Sequence, residues 1–169
     1  MKKVVMLYVI GMLCSILGAA ETQVFNADFK KQSFDWAQFH NTKVRKGSAF
    51  TTEIIAPAPA GKKVGENSIQ IGVFTPNGWT AGSYRMEASI AVNRDAQLPV
   101  SLIMHVPPYT KLGFKTVDFK ENVTQKVSIP FEIKKAGDYP IRTCSMYLGK
   151  LPVGTKVTIG SVKIFQITK

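Results

Sequence analysis

The feature that most constrains this chain is a strict period of two in its apolar side chains. Tyr84, Met86, Ala88, Ile90 and Val92 alternate with Arg85, Glu87, Ser89, Ala91 and Asn93. Val100, Leu102, Met104 and Val106 alternate with Ser101, Ile103 and His105, and Val127, Ile129, Phe131 and Ile133 with Ser128, Pro130 and Glu132. Successive side chains of a strand point to opposite faces, so each run buries one row and leaves the other toward solvent. Pro130 falls on the outward row, which suits an edge strand or a bulge because proline cannot donate to a ladder. Further strands are expected at 24–28, 49–55, 68–74, 113–119, 140–149 and 155–167. The last changes phase at Gly160-Ser161, where Val157 and Ile159 give way to Val162 and Ile164, the mark of a β-bulge. Turn chemistry separates the runs at 57–61, Pro76-Asn77-Gly78, Pro107-Pro108, Ala136-Gly137-Asp138 and Pro152-Val153-Gly154. No amphipathic helix is evident after residue 20. Many short strands with regular turns and no linker or repeat predict one all-β domain, a sandwich of two antiparallel sheets.

Residues 1–20 have a different character. Lys2 and Lys3 precede an apolar run from Val4 to Leu17, and Gly18-Ala19-Ala20 follows. A cationic start, an apolar middle and a small-residue end make an export signal cleaved after Ala20. A membrane anchor is the competing reading, but the run is shorter than the roughly 20 apolar residues a bilayer needs. Leu13 stands where a lipidated Cys14 would want a small residue, so Cys14 belongs to the discarded segment. The division is then 1–20 signal peptide and 21–169 β-sandwich domain, with a secreted or periplasmic location and no membrane span after cleavage. Cys144 remains alone beyond the signal, which excludes an intramolecular disulfide there. It reads as a small buried apolar residue rather than a reactive thiol.

The chain carries a net charge of +11, or +9 once Lys2 and Lys3 are subtracted. Such a surplus suits an anionic partner, yet the lysines are spread along the chain, which fits a merely soluble surface better. Nothing specific to nucleic acid is visible.

Several short segments, in order, resemble carbohydrate-binding modules of the family four, nine and twenty-two type. Val24-Phe25-Asn26-Ala27-Asp28-Phe29 with Asp35-Trp36 resembles their opening, and Ala81 to Met86 their G-x-x-Y strand entry. The loop His105 to Gly113 is similar to one that places a sugar-stacking aromatic in some members. Arg142 to Gly149 resembles the R-x-x-F-x-L-G strand, with Met146 at the aromatic position, and Val157 to Ile164 the closing strand. The resemblance implies a jelly-roll, galactose-binding-like β-sandwich over 21–169. Gly160 replaces the usual closing Asp, a residue that in relatives often helps hold a structural calcium, so no cofactor is expected and a calcium site is doubtful.

Catalysis is not expected. Two histidines and one cysteine beyond the signal show no ligand spacing, the acids form no evident pair, and no nucleophile or phosphate motif occurs. Sugar binding needs instead an aromatic ring for the C–H face of a pyranose and planar polar groups for its hydroxyls. The candidates are Tyr109 beside Pro107-Pro108, Trp79 after the Asn77-Gly78 turn, and His105 and Tyr147 on outward rows. Arg142 is a further hydroxyl or carboxylate partner, although its parity points inward. The outward row of Thr143, Ser145 and Tyr147 looks poor in Asn and Gln. Trp36 matches a ring that relatives bury, and reads as structural. The leading expectation is an exported, non-catalytic module binding a polysaccharide or oligosaccharide. The alternatives are a structural or protein-interaction sandwich of the envelope that has lost sugar binding, and electrostatic attachment to an anionic polymer or membrane.

Overall fold

A computed structural model describes residues 19–29, 37–40, 42–45, 50–57, 68–74, 78–104, 108–137, 141–148 and 151–168. Among these the elements are all strands: β1 (Ala20–Asp28), β2 (Ala37–His40), β3 (Thr42–Arg45), β4 (Phe50–Ile54), β5 (Ser68–Phe74), β6 (Gly82–Val92), β7 (Ala96–Met104), β8 (Lys111–Phe119), β9 (Gln125–Ile133), β10 (Ile141–Tyr147) and β11 (Lys156–Thr168). They form two sheets. The first runs β3-β4-β11-β6-β9 with β1 also on β11; the second runs β2-β5-β10-β7-β8. All pairings between these strands are antiparallel. The expected β-sandwich is therefore present, and residues 1–18 of the expected signal peptide 1–20 lie outside the described residues.

The alternation decides which row goes inside. On β6 Tyr84, Met86, Ala88, Ile90 and Val92 are buried, while Arg85, Glu87 and Ser89 are only half-buried. β9 contributes Val127, Ile129, Phe131 and Ile133 to the same layer. The second sheet answers with Ile69, Ile71, Leu98, Val100, Leu102, Cys144 and Met146. Each such aliphatic side chain stabilises the fold by roughly 1.5–3 kcal/mol over an exposed one.

β11 holds the first sheet together. Its first half pairs with β4 and its second half with β1, while β6 runs along the opposite edge throughout. The register slips between Ile159 and Ser161, so the bulge expected at Gly160 occurs where β11 exchanges one partner for the other. There Gly160 O accepts from Phe29 N at 3.2 Å. A Cβ at Gly160 would stand 3.3 Å from Ser89 Oγ, leaving little room for the aspartate of the closing motif.

Pro130 is exposed on β9, the edge of the first sheet, where its missing N–H costs no ladder bond. β8 is the corresponding edge of the second sheet, and the two edges meet. A Cβ on Gly113 of β8 would collide with Ile129 Cγ2 and lie 3.1 Å from Pro130 O. Glycine is required at this crossing by the closeness of the backbones.

Expected and observed strands agree closely at 68–74 and 49–55, and Ala20–Asp28 is longer than the expected 24–28. β2 and β3 were not anticipated: four-residue strands are too short to show a period.

Candidate functional site

Directly opposed residues of antiparallel strands share a face. This rule assembles the outer face of the second sheet from sequence segments that look unrelated. Thr143 opposes Gly72 and Ile103, and Ile103 opposes Lys111. One row further, Ser145 opposes Gln70 and Ser101, Ser101 opposes Phe114, and Gln70 is aligned with Gln38. Tyr147 with Ser68 begins the next row. The middle row thus crosses the sheet from β8 to β5, with the Phe114 ring at one end and the Gln70 amide at the other.

This face is polar but not open everywhere. Phe114 is 52% exposed and Tyr147 and Gln70 are half-buried, whereas Ser101, Thr143 and Ser145 are buried. Ser101 Oγ and Thr143 Oγ1 have no hydrogen-bond partner among the described residues. A buried hydroxyl without a partner costs on the order of 1–3 kcal/mol. The aliphatic parity partners Cys144, Met146, Leu102 and Val100 all face the core.

The sites expected from the sequence divide between surface and interior. Tyr109 is 57% exposed at the tip of the β7–β8 connection, closed by Met104 N donating to Thr110 O at 2.9 Å. Its φ of 56° is left-handed, a conformation that costs a residue with a Cβ roughly 1–2 kcal/mol. Tyr147 lies on the outer row, as its parity requires. His105 lies outside the described residues, as does Trp36.

Trp79 requires correction. It is 2% exposed and packs edge-on against Tyr84 at 5.4 Å and Phe131 at 6.0 Å between centroids. The turn residues before it suggested exposure, but its carbonyl accepts from Gly137 N at 2.9 Å and the ring closes the end of the core. Arg142 is corrected with it. It is fully buried on the inward row of β10, its guanidinium carbon 5.2 Å from the Trp79 ring centroid. A desolvated cation over an indole face gains about 2 kcal/mol, which offsets part of its burial. Neither side chain is available to a ligand. The expectation that the outer face lacks amides also fails, because the register brings Gln70 beside Ser145.

Phe114 and Gln70 were missed by sequence reasoning. The signal for Phe114 was a lone aromatic in Lys111-Leu112-Gly113-Phe114-Lys115, where Gly113 must face inward against β9. That parity alone turns Phe114 outward.

Charge is divided between the layers. Strands of the second sheet carry Asp118 as their one acid, and it accepts from Gln97 Nε2 at 2.9 Å. The first sheet carries the ionic network: Arg85 bridges Glu21 at 2.6 Å and Glu87 at 2.9 Å, over the Phe165 ring at 4.6 Å. The hydrogen bonds from Arg85 hold the Glu21 carboxyl below its ordinary range. Asp95 is likewise lowered, by the Glu121 N–H at 2.8 Å and then by Lys120 at 3.0 Å. Burial pushes the Cys144 thiol up to about 12, so it is no nucleophile at neutral pH. Among the described residues no group of three or more His, Cys, Asp or Glu could hold a metal ion, and no helix is long and apolar enough to cross a membrane.

No family model and no curated protein sequence matches the chain. Solved structures do match. The apo form of CBM1 of BiXyn10A superposes with a TM-score of 0.59 at 12% identity, over 84% of this chain and 96% of that one. The second N-terminal cellulose-binding domain of Cellulomonas fimi β-1,4-glucanase C gives 0.57 at 12% identity, over 89% and 97%. The CBM22-1 xylan-binding domain of Paenibacillus barcinonensis Xyn10C gives 0.55 at 8% identity, over 90% and 98%. The chain has the jelly-roll fold of carbohydrate-binding modules.

Proposed function

We propose that this protein is an exported, non-catalytic carbohydrate-binding module that holds a polysaccharide or oligosaccharide across the outer face of its second sheet. The observation that carries the reading is the row Phe114–Ser101–Ser145–Gln70, with Thr143 beside it. Phe114 offers an exposed ring to the C–H face of a pyranose, and Gln70 offers both a donor and an acceptor to vicinal hydroxyls. Ser101 and Thr143 lie buried beneath this row, so the contacts to a ligand fall to Phe114 and Gln70. Tyr147 and Tyr109 flank the row at opposite ends of the sheet and extend it beyond one sugar ring. Structural neighbours that include cellulose- and xylan-binding domains support this class of ligand. Export rests on the composition of residues 1–20.

The test is affinity electrophoresis through gels containing neutral or acidic polysaccharides, with wild type, Phe114→Ala and Gln70→Ala. Retardation by at least one glycan is expected, weakened roughly two- to tenfold by Phe114→Ala, the scale of one aromatic contact. Wild-type mobility unchanged in every gel would refute the reading and favour a sandwich that serves protein contacts instead.

A further inference from the structure

The aromatic platform of this face is already occupied by a charge. Lys111 Nζ sits 5.0 Å from the centroid of the Phe114 ring. No carboxylate pairs with Lys111 among the described residues, and the acids of the strands lie on the first sheet except for Asp118, which is engaged by Gln97. Resting on the sugar-binding reading above, we propose that this face selects glycans bearing an anionic group, a uronate carboxylate or a sulfate ester, through the Lys111–Phe114 pair.

The reasoning is an exchange. A neutral pyranose that stacks on Phe114 must displace the ammonium from the ring and offers it only neutral hydroxyls, no better than the water around it. The lost contact is worth roughly two- to fivefold in affinity at an exposed site. An anionic pyranose draws the same ammonium onto its own charged group and covers the ring that the ammonium leaves. The exposed side chain of Lys111 is long enough to make the swing without any backbone change. Among the described residues the strands of the second sheet carry no acid at this end to repel the ligand, and the net charge of +9 without Lys2 and Lys3 favours approach. Selectivity is thereby built into one lysine rather than into the shape of a pocket.

The experiment measures binding of the full chain by isothermal titration to two matched pairs: polygalacturonate and its carboxyl-reduced form, and dextran sulfate and dextran. It uses wild type, Lys111→Gln, and Lys126→Gln as a charge-matched control on the first sheet. The expected result is tighter binding of at least one anionic member, by roughly fivefold, the scale of one exposed ion pair. Lys111→Gln should abolish that preference and Lys126→Gln should leave it. The pair that shows the preference identifies the anionic group. Equal binding of charged and neutral members overturns the proposal while leaving the sugar-binding reading intact. So does a preference that Lys126→Gln reduces as much as Lys111→Gln, which would mark bulk attraction. No binding to any of the four, together with no retardation in the wider panel, removes the sugar-binding reading itself.

Discussion

Replacing Trp79 by alanine separates a core residue from a ligand contact by the sign of two independent measurements. The ring is 2% exposed, meets Tyr84 and Phe131 edge-on, and covers the Arg142 guanidinium. Removing a buried tryptophan costs about 3–5 kcal/mol, the upper part applying where a polar group is uncovered as well. Here the uncovered group is a fully buried cation, so about 4–5 kcal/mol is expected. For a domain of this size each kcal/mol lowers Tm by roughly 2–4 °C, giving a fall of about 8–20 °C. Thermal unfolding followed by circular dichroism reads the loss, and Trp79→Phe should recover part of it by restoring a ring against Tyr84 and Phe131. Glycan retardation measured well below the new Tm should be unchanged, because the indole does not reach the outer face. A variant that keeps its Tm within ~3 °C yet loses glycan retardation would refute this placement of Trp79.

Two further outcomes follow from close packing and from burial. Gly113→Ala should destabilise by about 1–3 kcal/mol in urea unfolding, since its methyl would press on Ile129 and the Pro130 carbonyl. Added to Ile129→Ala the same change should cost much less, because the cavity receives the methyl; strict additivity would mean that β8 and β9 do not meet there. Cys144 should resist a thiol reagent such as 5,5′-dithiobis(2-nitrobenzoate) at pH 8 until denaturant is added. Its folded pKa of about 12 lies above the ordinary value of 9.0, so the group favours folding below about pH 9 and loses that contribution between pH 9 and 12. Reaction of the native protein within seconds at pH 8 would contradict the burial.

The layers were legible in the sequence wherever a strand had one buried and one solvated face. β6 and β9 are of this kind, and even the Gly160 bulge and the edge position of Pro130 could be read from their phase. The site was legible only in part, because a face is made by register between strands that are distant in sequence. Gln70 lies in an unremarkable segment, Ser-Ile-Gln-Ile-Gly-Val-Phe, and becomes a neighbour of Ser145 only through the β5–β10 pairing. Phe114 sits on an edge strand between half-buried Gly113 and exposed Lys115, a run without regular apolar alternation, and its direction follows only from the packing of Gly113 against β9. Trp79 misled for the opposite reason. Its Asn77-Gly78 turn signalled a surface, while the burial of the ring depends on Tyr84, Phe131 and Arg142 arriving from three other strands.

The pairing of β1 with β11 also fixes how the domain bears mechanical load. Glu21 stands opposite Ile167 and Thr22 opposite Gln166, so the start of β1 and the end of β11 lie side by side in the first sheet. Tension applied between these two points would open the ladder one rung at a time, like a zipper, rather than shearing all its hydrogen bonds together. Such a fold yields at low force when pulled by its ends. Tension applied between the second sheet and a single end of this ladder would take a different path, through the packed layers, and leave the β1–β11 ladder unpeeled.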